Sequence, residues 1–218
     1  MHFLSRKQVI VTELAVFLIG LPFVMWLFLP PIVILPVVWG MAVLCHHLAN
    51  FARPDTVGHW WRRDLVTRAE ILVIWRRFAI CATLLFLLTY AFKPELLFNL
   101  VRGNPGFWLL IMFAYPLLSV VPQEIIFRRY LFARFEGLFS PGVLLLVSGL
   151  GFGFAHIVFH NWVAPSLCAI GGLMFARTYR TTRSLALVSL EHALYGDFVF
   201  TLGLGRYFYH GAVAVAQS

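Results

Sequence analysis

The chain has 218 residues, of which 61% are apolar, 17% aromatic and 12% charged, with a formal net charge of +8. A soluble domain is nearer half apolar and a quarter charged, so this composition excludes a disordered chain, a coiled coil and an ordinary soluble enzyme. Cys45, Cys81 and Cys168 stand far apart within apolar stretches and form no zinc or disulfide pattern.

A helix needs about 20 residues to cross a bilayer core. Leu14 to Cys45 contains no Asp, Glu, Lys or Arg and is too long for one crossing. Pro22, Pro30, Pro31 and Pro36 interrupt it, predicting spans at about 9–29 and 31–48 with a hinge at Leu29-Pro30-Pro31. No small-residue cleavage site precedes these prolines, so the first span reads as an uncleaved signal-anchor. Residues from about 49 to 70 are polar and basic and read as a loop, with Trp60 and Trp61 at an interface. A third span is predicted at about 71–92, with Arg76 and Arg77 snorkelling near its start. Asn104-Pro105-Gly106 marks a turn, and a fourth span follows at about 107–132. Gly137 to Ala176 has no formal charge and accommodates two spans, broken near His160-Asn161-Trp162 and Pro165. A seventh span covers about 184–205. Trp26, Trp39, Trp75 and Trp108 read as interface anchors or packing residues, and Tyr207, Phe208 and Tyr209 as an outer aromatic belt.

The expected fold is therefore all-α: a polytopic membrane bundle of about seven helices, within a range of six to eight. With a cytoplasmic N-terminus, the inner side holds Arg6, Lys7, Arg53, Arg62, Arg63, Arg68, Arg76, Arg77, Arg128, Arg129, Arg134, Arg177, Arg180 and Arg183. The outer side holds only Lys93, Arg102 and Arg206, so the positive-inside rule supports this orientation. The expected organisation is one continuous membrane domain: N-terminal helices and a basic loop over 1–104, a core over 105–205 and a short tail over 206–218.

Ionisable residues inside spans cost about 2.5–3.5 kcal/mol each on insertion scales and mark functional sites by default. Here they are Glu13, Glu124, Glu191, Asp197, His156 and His192, with His160 at a helix end. Glu124 and Arg128 are four apart and share a helical face, so the guanidinium can keep the carboxylate ionised. The alternative is an ion pair that only fixes packing. His156 and His160 are also four apart, and Gly149, Gly151 and Gly153 permit close helix approach. Glu191, His192 and Asp197 fall within seven positions of one span. Glu124, His156 and His192 lie on three separate spans. If they converge, one carboxylate and two imidazoles share a low-dielectric site able to activate water and stabilise an oxyanion. No Ser or Cys stands beside an obvious base, and Asp197 alone cannot supply an aspartic dyad.

At these positions the sequence resembles the CaaX-protease and bacteriocin-processing (Abi, CPBP) family of glutamic-type intramembrane proteases. The family pattern is Glu-Glu-x-x-x-Arg, Phe-x-x-x-His and His-x-x-x-Asn/Asp on consecutive core helices. Its counterparts here are Gln123-Glu124-Ile-Ile-Phe-Arg128, Phe152 to His156, and His192 to Gly196. The first acid of the pair is replaced by Gln123, and the Asn/Asp position by Gly196. The resemblance implies an endopeptidase for membrane-associated proteins or peptides, C-terminal tail processing among them, in a bacterial inner membrane. In that reading Glu124, oriented by Arg128, deprotonates the water, His156 and His192 bind water or oxyanion, and Glu191 or Asp197 orients a histidine. Glycine at 196 would permit an unwinding that brings Asp197 in. The expected partners are the substrate and the lipid bilayer, without nucleic acid, metal or other cofactor.

Rival readings are a zinc protease using His156, His160, His192 and Glu124, a non-catalytic scaffold or immunity protein of the same fold, and a transporter. Depth raises one conflict. Glu124 sits about one turn from the predicted inner charges, whereas His156 lies about 22 Å along a helix from Pro141.

Overall fold

The computed structural model describes residues 6–54 and 66–208. Trp60, Trp61, Arg62, Arg63 and Tyr209, assigned above to interfaces or the inner face, lie outside the described residues. Seven long helices account for the architecture: α1 (Gln8–Phe28), α2 (Pro31–Ala52), α3 (Arg68–Phe92), α4 (Pro105–Phe135), α5 (Pro141–Phe159), α6 (Val163–Thr182) and α7 (Leu185–Leu202). Among the described residues there is no strand. All but α6 are long and apolar enough to cross a membrane. Helix α6 has the length, but Arg177 and Arg180 fall in its last turns.

Local signals set the boundaries. Asn104 and Ser140 each accept a hydrogen bond from the third residue on, Phe107 N (2.9 Å) and Val143 N (3.4 Å), ahead of a proline in the first turn. Thr67 and Ser184 cap α3 and α7 in the same way. The hinge after α1 falls at Leu29-Pro30, as the prolines dictate. Gly203, at φ 100°, closes α7.

Helix α4 has two widened π-turns, Pro116–Val120 and Ile125–Tyr130. Pro122 has no N–H, which frees the carbonyl of Leu118 one turn earlier. The indole Nε1 of Trp39 on α2 donates to that carbonyl at 2.9 Å. Trp39 is thus a helix-to-helix tie, the packing role of the two read for it. Ser148 Oγ on α5 donates to Phe127 O in the second π-turn at 2.7 Å.

Helices α5 and α6 pack almost backbone to backbone. A methyl group at Gly149 would lie 2.8 Å from Leu173 N, and one at Gly153 would lie 2.8 Å from Ala169 Cα. In a bilayer, where apolar side chains gain nothing by leaving lipid for each other, such close packing is a main source of association. Large apolar side chains such as Ile32, Phe51, Phe92 and Phe113 are correspondingly exposed on the outside of the bundle.

The arginine-rich end is tied by ion pairs. Glu13 on α1 accepts from Tyr130 Oη (2.6 Å), Arg134 Nε (3.0 Å) and Arg134 Nη2 (2.7 Å), all on α4. In the loop before α5, Glu136 takes a two-pronged bond from Arg183 and has Arg53 at 3.8 Å. Arg128 and Arg129 are buried, not loop charges as the orientation count assumed. With α4 running to Phe135, Glu124 stands eleven residues, about 16 Å, from the basic end. That narrows the depth conflict with His156.

The hydrogen-bonded Arg183 guanidinium holds the Glu136 carboxyl below its ordinary value of 4.5, against partial burial that pushes it up. A depressed carboxylate stabilises the fold above its unfolded value and stops doing so as pH falls through the folded one. Thermal stability in detergent is expected to decline as pH drops below 4.5. The decline should be shallower in Glu136→Gln, which a pH series of unfolding temperatures for both proteins would read.

Candidate active site

The three spans do converge. Glu124, with no exposed surface, accepts from Nδ1 of His192 on α7 at 2.9 Å. Its other oxygen, Oε2, lies 3.2 Å from Arg128 Nε, in charge contact without hydrogen-bond alignment. Arg128 is itself wholly buried. Its guanidinium donates to Gly172 O at 3.3 Å and lies over the rings of Phe152 (4.8 Å) and Phe175 (5.7 Å). Gly172 lacks a side chain for a reason: a methyl there would meet Gly149 O at 2.7 Å and Phe152 at 3.0 Å.

Phe152 is the hub. His156 lies against its ring at 4.7 Å between centroids, and His192 meets it edge-on at 5.3 Å. His192 is stacked on Phe175 at 4.7 Å. These rings hold both imidazoles in fixed planes. His156 Nδ1 lies 2.7 Å from Phe152 O. A carbonyl only accepts, so Nδ1 carries the hydrogen and Nε2 of the neutral ring keeps its lone pair.

His156 and Gln123 line one apolar pocket, otherwise walled by residues such as Phe17, Met25, Val38, Met41 and Phe127. They are its only polar lining residues among those described. The Gln123 amide donates to Ser119 Oγ at 2.8 Å, while its Oε1 is buried without a protein partner. Helices α1 and α2 thus build much of this pocket, although the sequence placed the chemistry in the second half alone.

Other expected site residues go elsewhere. Glu191 faces α3 and α6, where Arg77 Nη2 donates to it at 2.7 Å and also reaches Thr178 Oγ1 at 2.7 Å. It orients no histidine, and Arg77 turns inward instead of snorkelling. Helix α7 is unbroken through Gly196, so no unwinding carries Asp197 to His192, and Asp197 Oδ1 has no protein partner. His160 adopts a left-handed conformation (φ 54°) after α5, with its ring 5.6 Å from Trp26. Among the described residues no three His, Cys, Asp or Glu side chains assemble as ligands. Phe208, assigned to an outer belt, packs at 6.3 Å from His156 and 5.9 Å from Phe159.

One site residue carried no signal of its own. Tyr115 Oη lies 3.1 Å from His192 Nε2. Its only trace in the sequence is the departure at Gly196, where a methyl would fall 2.3 Å from the Tyr115 ring and hydroxyl.

A polytopic helical membrane protein with a carboxylate, two imidazoles and a guanidinium sealed in its centre defines the class. Residues 105–196 match the family model of Rce1-like proteins, type II CAAX prenyl endopeptidase Rce1-like, in agreement with the resemblance to the CaaX-protease and bacteriocin-processing family. No curated protein and no solved structure matches the chain.

Removing one member of a buried charge pair costs about 3–5 kcal/mol, because the other is left uncompensated. Arg128→Met is expected to destabilise the protein by about that amount in detergent unfolding. The double variant Glu124→Gln/Arg128→Met should regain part of the loss.

Proposed function

We propose that the protein is an intramembrane endopeptidase that hydrolyses a peptide bond of a membrane-associated protein or peptide, C-terminal tail processing being one such reaction. The supporting observation is the meeting of His156, His192 and Glu124 around Phe152, beside an apolar pocket with Gln123 and His156 as its polar wall. The setting we propose is a bacterial inner membrane.

The chemistry follows from which atoms are engaged. Glu124 has no exposed surface and is bonded to His192, so it acts through that ring instead of taking a proton from water directly. The lone pair of His156 Nε2 takes the proton of a water placed by Gln123. The hydroxide adds to the scissile carbonyl, and the carbonyl oxygen takes up the negative charge. Arg128 supplies the positive field for that charge in a dry site. Collapse breaks the C–N bond, and the proton on His156 passes to the leaving amine. A substrate helix hides its carbonyls in its own hydrogen bonds, so the scissile segment enters unwound or near a helix break.

The second reading, a non-catalytic scaffold, is favoured by one observation: at 123 an amide bonded to Ser119 stands where the motif has a carboxylate. A survey of protein termini separates the two. Membranes lacking the protein would be complemented at equal abundance with wild type, Glu124→Ala or His156→Ala. New termini are expected only with wild type, and His156→Ala should lower cleavage about 10²–10⁴-fold. Identical termini in all three, with the phenotype restored by Glu124→Ala, would establish the scaffold.

A further inference from the structure

We propose that Tyr115 is the positioning residue of His192, and that Tyr115 and Gly196 are one functional unit that delivers a hydrogen-bond donor to Nε2 from α4 instead of from α7. This rests on the endopeptidase reading above.

The geometry has three parts. First, His192 is held at both nitrogens. Glu124 is bonded to Nδ1 at 2.9 Å and Tyr115 Oη faces Nε2 at 3.1 Å. A carboxylate only accepts, so Nδ1 carries the hydrogen and the neutral ring takes the Tyr115 O–H at Nε2. If the ring gains a proton, Nε2–H donates to the tyrosine oxygen and the phenolic hydrogen is released to another acceptor. The hydroxyl thus satisfies either protonation state without movement of the ring.

Second, the tyrosine itself is fixed. Its ring packs edge-on against His192 (6.1 Å) and Phe200 (5.3 Å). It stands immediately before the Pro116–Val120 π-turn. Third, Tyr115 and any side chain at 196 exclude each other. A methyl at 196 would sit 2.3 Å from both Tyr115 Cε1 and Oη. Position 196 is four residues after His192 on an unbroken helix and so shares its face. The volume from which an α7 side chain would reach Nε2 is the volume the tyrosine fills. Glycine at 196 is therefore a consequence of the donor's arrival from α4, not the loss of a site residue.

The test uses full-length protein in lipid vesicles, with a peptide spanning a cleavage site found in the terminus survey. Tyr115→Phe keeps the ring and removes only the hydroxyl. It should lower kcat at least 10-fold with KM within 2-fold, at roughly unchanged unfolding temperature. Gly196→Asn alone should fail through the clash. Tyr115→Ala/Gly196→Asn, which opens the volume and refills it with an amide on α7, should recover kcat several-fold over Tyr115→Ala. A packing role predicts no rescue by so different a side chain. Full activity in Tyr115→Phe, or a double variant no better than Tyr115→Ala, overturns the proposal. If wild type cleaves nothing, the endopeptidase reading fails. The tie is then judged separately from the ¹⁵N resonance of His192 Nε2 in labelled protein: a shift in Tyr115→Phe supports it, and an unchanged resonance overturns it.

Discussion

A guanidinium without exposed surface, inside a bundle of apolar helices, is the constraint around which this protein is built. Arg128 requires a counter-charge, hydrogen-bond acceptors and polarizable surface, since a lone buried charge costs several kcal/mol. Glu124 supplies the charge, Gly172 the carbonyl, and Phe152 and Phe175 the ring faces. These demands are met from α4, α5 and α6 together. The rings that serve the arginine are the same rings that hold the two histidines. Charge compensation and imidazole placement are thus one packing problem.

Polar residues elsewhere in the bundle follow the same logic of pairing within the bilayer. Glu13 pairs with Arg134, Glu191 with Arg77, and Arg129 Nη2 with Asn50 Oδ1 at 2.5 Å. These three ties join α1 to α4, α3 to α7 and α2 to α4. They connect the first three helices to the matched core at specific heights. The N-terminal helices are therefore fixed to the site, and through Phe17, Met25, Val38 and Met41 they form part of its pocket.

The fold class and helix boundaries were legible because hydrophobic runs, prolines and Ser or Asn caps act over short distances. The Leu29-Pro30 hinge and the starts at Asn104-Pro105 and Ser140-Pro141 follow from local chemistry. So did the candidacy of Glu124, His156 and His192, since charge inside a membrane span stands out. Partner choice was not legible. Periodicity gives a residue's face but not which helix meets it, so Glu191 was matched to a histidine when its partner is Arg77. Arg129 was counted as a loop charge because a burial imposed by neighbouring helices leaves no mark in the local sequence, whereas Arg128, though counted with it, was marked as a site residue by its spacing of four from Glu124. Tyr115 is one of 36 Phe, Trp and Tyr residues that make up 17% of the chain, and nothing local distinguishes it.

The two π-turns of α4 act as single-residue insertions in an otherwise regular helix, a pattern frequent at functional sites. The second begins just after Glu124 and ends at Tyr130, one turn before Arg134. It therefore separates two registers in one rod. Above it, the helix is phased to present Glu124 to α7. At its end and below it, the helix is phased to present Tyr130 and Arg134 to α1. An ordinary α-helix advances about 100° per residue, so one residue fewer would turn one half against the other by that angle. No rigid regular helix of this sequence satisfies both sets of neighbours. The extra residue is a phase shifter, and the Glu124 face and the anchoring face of α4 can drift independently only by moving or losing it.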